Sequence, residues 1–233
     1  MNNRVIEATI LAIGFIILGL TIRNGITTFK EKDRVVSVKG LAEMEFPADK
    51  VTWPLMFKDI GNDLNTLYNN INQKNSAIIE FLKSKHVTDE EISVSTPEII
   101  DMQAERYRMD NVPYRYNITS VITVTSENVD KIRAIITEQN ELLKQGIAIT
   151  TGDYRYNIAY DFTKLNEVKP QMIEEATKNA RNAAEKFAVD SNSKLGKIKR
   201  ANQGQFSIND RDANTPYIKT IRVVTTVDYY LED

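Results

Sequence analysis

Residues 51–57 read Val51-Thr52-Trp53-Pro54-Leu55-Met56-Phe57, and Val51, Trp53, Leu55 and Phe57 place a large apolar side chain at every second position. Because successive side chains of a β-strand point to opposite faces, this spacing puts these four on one face. Pro54 has no backbone N–H to donate, so it predicts that the strand lies at a sheet edge or carries a β-bulge. The stretch therefore predicts a strand with one buried apolar face.

The sequence on either side of this strand predicts further strands and helices. Pro47-Ala48-Asp49 is typical of a turn and separates the strand from an earlier one. Elsewhere, apolar residues recur at helical or at strand spacing between polar stretches. The predicted elements are strands over 35–46, 92–102, 116–124 and 147–160, the last with a bulge at Gly152, helices from Asn62 to His86, from Ser126 to Gly146 and over 166–189, and closing strands from Lys197 and over 221–229.

The predicted helices have recognisable ends and one distinctive face. Asn62 and Ser126 are small polar residues of the kind that cap helix N-termini, and Gly146 suits a helix C-terminus. The helix over 166–189 carries a stripe of mostly small side chains, which lets a helix lie close to a sheet. The stripe comprises Ala176, Ala180, Ala183, Ala184, Phe187 and Ala188.

The order of the elements predicts the fold class. Strand, helix, strand, strand occurs over residues 49–125 and again over 147–231, with the Ser126 helix between them. The run Tyr114-Arg115-Tyr116-Asn117-Ile118 also recurs as Tyr154-Arg155-Tyr156-Asn157-Ile158, at a different place within the unit. This order predicts an α+β fold, a largely antiparallel sheet with helices packed on one face, preceded by an N-terminal hydrophobic helix.

The N-terminal segment is the most apolar part of the chain. Residues 8–22 read ATILAIGFIILGLTI without a charge, near the lower length limit for a membrane span. The apolar residues cover every face, which argues against a core helix. The sequence after Arg23 lacks a small-x-small cleavage site, which favours a signal anchor over a cleaved signal peptide. We therefore assign residues 1–23 to an anchor or signal peptide, 24–34 to a spacer and 35–233 to one domain.

Charges flanking this segment do not orient it. Arg4 precedes the apolar run, whereas Arg23, Lys30, Lys32 and Arg34 follow it, interspersed with Glu31 and Asp33. The positive-inside rule therefore does not place the domain outside the cytoplasm.

Composition excludes several classes of function. Hydrophobic residues make up 42% of the 233 residues, charged residues 27%, and the net charge is −2. This balance gives no general attraction to nucleic acid. The chain has no cysteine, which excludes disulfides, thiolate nucleophiles, zinc–thiolate sites and a lipid-modified cysteine.

The polar residues form no recognisable catalytic or metal-binding pattern. His86 is the only histidine and lies at a predicted helix end, where a cation interacts favourably with the helix dipole. The acidic residues 89–91, Asp210 and Asp212 lack the spacing of a calcium loop. The glycines form no phosphate-binding loop. We therefore predict no catalytic, cofactor-binding or metal-binding residues and no cofactor.

One aromatic and basic stretch has two interpretations. Arg106-Tyr107-Arg108 and Tyr114-Arg115-Tyr116 alternate arginine with tyrosine, an arrangement that suits stacking on single-stranded nucleic acid. The same alternation is typical of a half-exposed strand. Since the chain has no overall basic bias, we favour the strand and predict no nucleic-acid partner.

Four stretches together resemble the SIMPL-domain family of bacterial envelope proteins over residues 35–231. They are Val35-Val36-Ser37-Val38-Lys39-Gly40 followed by Phe46-Pro47-Ala48-Asp49, the run from Val87 to Thr96, the strand from Tyr116 to Val124, and the alanine-spaced helix before Leu195-Gly196-Lys197-Ile198. The sequence departs from the family pattern at residues 39–43 and at Trp53-Pro54. The resemblance implies a periplasmic or cell-surface location, self-association and a link to stress tolerance, and it brings no catalytic residues.

These observations lead to one main hypothesis and two alternatives. The main one is a non-catalytic envelope protein tethered to the inner membrane through residues 8–22, which acts by binding or self-assembly. Its expected partners are copies of itself and an envelope protein or peptide. The alternatives are an acid-pair hydrolase of the envelope, which needs no local motif, and a cytoplasm-facing nucleic-acid binder that uses the tyrosine–arginine strand.

Overall fold

The computed structural model describes residues 3–31, 34–104, 113–150 and 153–232. Within these ranges the helices are α1 (Asn3–Glu31), α2 (Leu64–Ser84), α3 (Val129–Glu138), α4 (Asn140–Lys144) and α5 (Leu165–Asp190). The strands are β1 (Val35–Pro47), β2 (Lys50–Gly61), β3 (Ile92–Val94), β4 (Glu98–Asp101), β5 (Tyr116–Ser126), β6 (Ala159–Asp161), β7 (Lys194–Gln203), β8 (Ser207–Asp210) and β9 (Ile218–Glu232). The fold is α+β, as the sequence predicts.

The strands form two antiparallel sheets. The first has the order β1-β9-β7, and β8 also pairs with β9. The second has the order β3-β5-β2-β6, and β4 also pairs with β5. By its internal contacts the chain divides into unit 1, which comprises Met1–Met44, Asn166–Ile208 and Ile221–Asp233, and unit 2, which comprises Glu45–Leu165 and Asn209–Thr220.

The core of unit 2 is built on the alternating stretch of β2. Val51, Trp53, Leu55 and Phe57 are each at most 1% exposed, and they lie in one cluster with buried side chains of α2, α3 and β5. Full burial of each such side chain contributes roughly 1.5–3 kcal/mol. The alternation therefore predicted the buried face of this strand correctly.

Pro54 lies in a regular part of β2. The pairing of β2 with β5 runs without interruption from Val51–Ser126 to Gly61–Tyr116, so the predicted bulge is wrong. The pairing with β6 covers only Lys50 to Thr52. On that side Pro54 therefore has no neighbouring strand among the described residues, and β2 is an edge strand locally although it is internal in the sheet order.

Two helix starts differ from the prediction by one or two residues. Asp63, not Asn62, caps α2, and its carboxylate accepts a hydrogen bond from Thr66 N–H at 2.8 Å. Asn128, not Ser126, caps α3 through a bond from Lys131 N–H. Asn62 Oδ1 instead accepts a hydrogen bond from Arg115 N–H at 2.8 Å, and Ser126 Oγ accepts one from Asn128 N–H at 3.1 Å.

Gly146 ends its helix as predicted. Its φ is 77°, the left-handed conformation that glycine adopts at helix C-termini. The helical region before it is interrupted at Gln139, so α3 and α4 are separate.

Two predicted strands are shorter than expected. The region 92–102 forms β3 and β4 with a gap between them, and they pair with different parts of β5. Of the described residues among 147–160, only Ala159 and Tyr160 belong to a strand, the three-residue β6. Residue 152, the predicted bulge, lies outside the described ranges. Thr150 N–H donates to Met56 C=O of β2 at 2.7 Å, but the described residues before Ala159 form no strand, which alternation in the sequence could not show.

In unit 1, α5 lies directly on β1. Ala176, Ala180, Ala184 and Ala188 are at most 2% exposed. Gly40 faces this stripe so closely that an added Cβ would overlap Ala176 O and Ala180 N and lie 2.8 Å from Ala180 Cβ. Small side chains on both elements are therefore needed for this approach.

Phe187 is the exception in the predicted stripe. Its side chain is 59% exposed, so its assignment to the inner face is wrong. Ala184 and Ala188 already occupy the inner face one helical turn apart, and Phe187 lies on the flank of the helix.

The repeated order of elements is present, but the two repeats do not form separate sheets. The first comprises β2, α2, β3, β4 and β5, and the second comprises β6, α5, β7, β8 and β9. The strand β6 of the second repeat pairs with β2 of the first, from Lys50–Asp161 to Thr52–Ala159. Local sequence patterns do not show that a strand of one repeat pairs with a strand of the other.

The N-terminal helix α1 contains the apolar segment. Ile6–Ile26 has a mean hydropathy of 1.9, and its residues are all exposed. Its 21 residues span about 32 Å at 1.5 Å per residue, which matches the roughly 30 Å hydrocarbon core of a bilayer. The helix continues to Glu31, through most of the predicted spacer. By length and composition it fits a membrane anchor or a signal sequence.

The close contact at Gly40 predicts a sensitive position. Gly40→Ala should lower the free energy of unfolding by about 3 kcal/mol, because backbone atoms of α5 must move to accommodate the methyl group. Ser37→Ala on the exposed face of the same strand should change it by less than about 0.5 kcal/mol. Urea unfolding followed by circular dichroism measures both, and equal midpoints would contradict the packing described.

Candidate functional site

One edge of β1 has no neighbouring strand among the described residues. Arg34 C=O accepts a hydrogen bond from Leu231 N–H at 2.9 Å, and Ala48 N–H donates to Tyr217 C=O at 2.8 Å. Both bonds fit one antiparallel register, in which even-numbered residues of β1 direct their N–H and C=O groups to β9. The odd-numbered residues direct theirs away from β9, where the described part of the chain provides no strand. We call these outward groups, on Val35, Ser37, Lys39, Leu41 and Glu43, the β1 edge.

The two faces of β1 differ sharply. Val38 and Ala42 are 4% and 2% exposed on the same face as Gly40. The side chains of the β1 edge alternate with them and face solvent from Ser37 onward, with Leu41 41% exposed. Unpaired edges are sites at which another strand can add.

One hydrogen bond from α5 reaches this edge. Asn179 Nδ2 donates to Leu41 C=O at 2.9 Å. A carbonyl oxygen has two lone pairs, so Leu41 can still accept a second bond. The contact fixes the strand where an incoming partner would pair.

Unit 2 contains an open groove of about 560 Å³. Arg133 lies over the ring of Tyr217 with its guanidinium carbon 3.4 Å from the ring centroid, and Tyr217 meets Tyr160 edge to face at 6.2 Å. Burial raises the pKa of the Tyr160 hydroxyl, and the Arg133 charge opposes this rise. The complete lining is Pro47, Ala48, Glu127, Asn128, Val129, Asp130, Arg133, Tyr217 and Ile218.

The carboxylates of this groove are poorly placed for acid catalysis. Asp130 forms an ion pair with Arg133 at 3.3 Å, and its side chain is 93% exposed. A carboxyl group that acts as a general acid is normally held in a partly buried environment. The groove offers Asp130 no such environment.

The Phe46–Asp49 segment has structural roles in unit 2. Phe46 stacks on Phe162 with ring centroids 5.3 Å apart. The Asp49 carboxylate accepts bonds from Thr163 N–H at 2.8 Å, from the Thr163 hydroxyl at 3.0 Å and from Lys164 N–H at 3.1 Å. Asp49 therefore orders the residues that lead into α5.

His86 lies at a helix end, as the sequence predicts. It follows α2 in the left-handed conformation with a φ of 66°, and its N–H donates to Lys83 C=O at 2.9 Å. Its Nδ1 lies 3.2 Å from Ser84 C=O. These contacts show that His86 helps to end α2.

The acidic run 89–91 forms a 3₁₀ turn. Glu91 reaches back to accept a bond from Thr88 N–H at 2.9 Å, and Asp89 pairs with Lys83 at 2.6 Å. Among the described residues, no three His, Asp or Glu side chains form a group that could hold a metal ion.

Asp210 and Asp212 stabilise a turn of unit 2. Asp210 pairs with Lys219, whose side chain is only 9% exposed. Asp212 accepts bonds from the Thr215 hydroxyl, from Asn214 N–H at 2.8 Å and from Thr215 N–H at 2.9 Å. The Thr215 hydroxyl, followed by Asn214 N–H, lowers the pKa of Asp212 to about 2.

The two copies of the tyrosine–arginine sequence share their arginine contacts but not their backbone structure, since Tyr116 begins β5 and Tyr154–Tyr156 forms a 3₁₀ turn. Arg115 donates to Asp101 at 2.8 Å and lies 4.9 Å from the Tyr116 ring centroid. Arg155 donates to Asp153 at 2.9 Å and lies 5.2 Å from the Tyr156 ring centroid. Both arginines are therefore already paired with a carboxylate. The run Arg106-Tyr107-Arg108 lies outside the described residues.

Sequence reasoning did not identify the groove or the β1 edge. Alternation over 35–45 was visible, but a strand becomes an edge only through the position of its partners. The approach of Arg133 to Tyr217 joins residues 84 positions apart. No local motif indicates that contact.

These features define a class, an α+β protein with an apolar N-terminal helix and an unpaired sheet edge. A family model described as SIMPL, protein of unknown function (DUF541), matches residues 36–229. The chain therefore belongs to the SIMPL family, as its sequence motifs suggest.

One curated relative is distantly similar. The chain is 24% identical over 124 residues to the Interleukin-1 receptor-associated kinase 1-binding protein 1 homolog of Oncorhynchus mykiss. The match covers 53% of this chain and 47% of the relative. The chain thus spans about half the length of that protein.

The hydrogen bonds of Asp49 predict that removing its carboxylate destabilises unit 2. Asp49→Ala should lower the free energy of unfolding by about 1–2 kcal/mol, because the Thr163 and Lys164 donors lose their acceptor. Asp161→Ala, at an exposed side chain of β6, is the matched control and should stay within about 0.5 kcal/mol. Urea unfolding monitored by Trp53 fluorescence reports on unit 2, and similar midpoints for both variants would contradict this role.

Asp212 predicts a pH dependence with a definite sign. A carboxyl whose pKa falls from 3.8 to about 2 on folding contributes stability above pH 3.8 and loses it as the pH falls toward 2. Thr215→Val should raise the Asp212 pKa toward 3.8, as measured by NMR titration of the carboxyl carbon. Thr66→Val is the control, since it should raise the pKa of Asp63 and leave Asp212 unchanged. An Asp212 titration near pH 3.8 in the unsubstituted chain is the result that would rule out this hydrogen bonding.

Proposed function

We propose that this chain is a non-enzymatic, membrane-tethered envelope protein that acts by assembly, with the β1 edge of one copy pairing with the β1 edge of a second. The unpaired β1 edge is the observation that carries the proposal. The family resemblance adds the extracytoplasmic location and the link to stress tolerance. The name of the curated relative describes a binding protein, which agrees with a role in binding.

Charge favours an antiparallel arrangement of the two strands. If the pairing is centred on Leu41, each Lys39 lies opposite Glu43 of the second copy. A parallel pairing in register would place Lys39 opposite Lys39 and Glu43 opposite Glu43. Opposite charges across a strand pair contribute roughly 0.2–1 kcal/mol, and like charges destabilise it.

The tether is compatible with this pairing. The two Arg34 residues would lie about 45 Å apart, because fourteen residue steps separate them along the paired strands. With the twofold axis perpendicular to the bilayer, both α1 helices enter the same membrane. Confinement to one membrane also raises the effective concentration of the copies.

The absence of an enzymatic activity is part of the same proposal. The groove of unit 2 has its Arg133 engaged with Tyr217 and Asp130. The acidic residues that the sequence highlighted stabilise turns and helix ends. These structural roles account for Arg133 and the acidic residues without giving them a part in a reaction.

Because the chain has no cysteine, a single introduced cysteine tests the pairing. Leu41→Cys in the membrane-inserted full chain should form a disulfide-linked dimer on mild oxidation, since the paired Cα atoms would lie about 5.5 Å apart, within disulfide range. Asn202→Cys, exposed on β7 at the other side of the sheet, should remain monomeric. Equal cross-linking of the two variants would refute the pairing.

Charge reversal provides the second arm of this test. Lys39→Glu places like charges opposite each other at two positions and should weaken the dimer about 5- to 30-fold by sedimentation equilibrium. Lys39→Glu combined with Glu43→Lys restores opposite charges and should recover the affinity. Labelling of Leu41→Cys by a membrane-impermeant maleimide in intact cells tests whether β1 lies outside the cytoplasm, where the reagent should reach it.

A further inference from the structure

Several contacts bring the start of β1, the end of α5 and the start of β7 to one end of unit 1. Arg34 Nη2 donates to Ser193 Oγ at 2.7 Å, in the turn between α5 and β7. Arg34 C=O accepts a hydrogen bond from Leu231 N–H at 2.9 Å. Lys194 of β7 lies opposite Glu232 of β9 in the strand register. We call residues 186–197 at this end the tether-side surface.

This surface lies a short length of chain from α1. The apolar segment ends at Ile26 and the helix at Glu31, a rise of about 8 Å, which is close to the depth of the headgroup layer on one side of a bilayer. Glu31 and Arg34 are three residue steps apart, so they are separated by at most about 11 Å. If Ile6–Ile26 spans a membrane, Arg34 and Ser193 therefore lie within about 10 Å of the lipid surface.

The last turn of α5 exposes two large apolar side chains at this end. Val189 is 72% exposed and Phe187 is 59% exposed, whereas Ala184 and Ala188 of the same helix are buried. Val189 lines a shallow surface groove with Asn182, Glu185, Lys186 and Asp190. These apolar side chains have no partner in the described part of unit 1 that would cover them.

The same region carries a local positive charge. Between Lys186 and Lys197 there are three lysines and one acidic residue, although the whole chain has a net charge of −2. Lys186 and Lys197 are exposed, and no ion pair of either is seen among the described residues. Asp190 and Glu232 lie at the same end and offset part of this charge. Exposed apolar side chains within a basic region are typical of surfaces that bind anionic membranes.

We propose that the tether-side surface docks on the phospholipid headgroups of the bilayer that holds α1, with Val189 inserted among them and Lys186 and Lys197 facing lipid phosphates. This inference rests on the proposed membrane tether. Docking holds unit 1 against the membrane at the point where the chain leaves it.

The expected strength of docking follows from electrostatics near a charged surface. The Debye length is about 8 Å at physiological salt, comparable to the distance that the chain allows. Each lysine near an anionic surface should shift the ratio of docked to undocked molecules about fivefold. Docking should therefore depend on anionic lipid and weaken at high salt.

A cysteine-directed fluorophore can detect this contact. The full chain with Val189→Cys is labelled with an environment-sensitive dye and placed, one copy per disc, in nanodiscs of phosphatidylcholine with and without phosphatidylglycerol. The emission should shift to the blue and be quenched by spin-labelled lipid when phosphatidylglycerol is present. Asn202→Cys, about 26 Å along β7 from Lys194 and on the face away from α5, carries the same dye as control and should remain in water.

Charge variants separate docking from tethering. Lys186→Gln with Lys197→Gln should lower the docked-to-undocked ratio about 25-fold, whereas Lys144→Gln with Lys164→Gln, at exposed lysines of unit 2, should leave it unchanged. All variants should stay in the nanodisc through α1. A chain that stays in the disc while the dye at residue 189 remains in water in both lipids overturns docking and leaves the tether intact. A chain that does not enter the disc overturns the tether itself.

Discussion

The pairing of β2 with β5 organises unit 2, because it holds the apolar residues of both strands on one face. The register is continuous from Val51–Ser126 to Gly61–Tyr116, and every side chain at the odd positions of β2 from Val51 to Phe57 is buried. Shifting the register by one residue would turn these side chains to the opposite face. The helices α2 and α3 and the short strands β3, β4 and β6 can pack or pair only where this central pair leaves them a surface.

Unit 1 depends on a different constraint, the closeness of α5 to β1. Gly40 and the alanines of α5 allow the helix to cover one face of the strand. That cover leaves the opposite face and the β1 edge open, and it is this edge that the proposed assembly uses. The same helix ends beside Arg34, where Val189 and the lysines are exposed. One packing contact thus determines which parts of unit 1 remain available for a partner and for a membrane.

Local pattern was sufficient for much of the fold, because period and turn chemistry depend on neighbouring residues. The alternation in β2, the extent of α5 and the end of a helix at Gly146 were all visible in the sequence. The failures share a cause. Asn62 and Ser126 stand next to better-placed caps, the region 147–160 has too few partners for a long strand, and Phe187 lies on a helix flank. In each case the outcome depends on which of several local options the tertiary structure stabilises.

By itself, the sequence determined the α+β class, the apolar N-terminal helix and the SIMPL resemblance, since each depends on composition or on periodic spacing along the chain. Only the tertiary structure decided that β6 joins β2, that β1 is an edge and that Arg133 covers Tyr217. It also decided that the exposed end of α5 lies beside the residue that follows the tether. These contacts join residues far apart in the chain, and their formation depends on sheet order and helix packing, which local spacing does not encode.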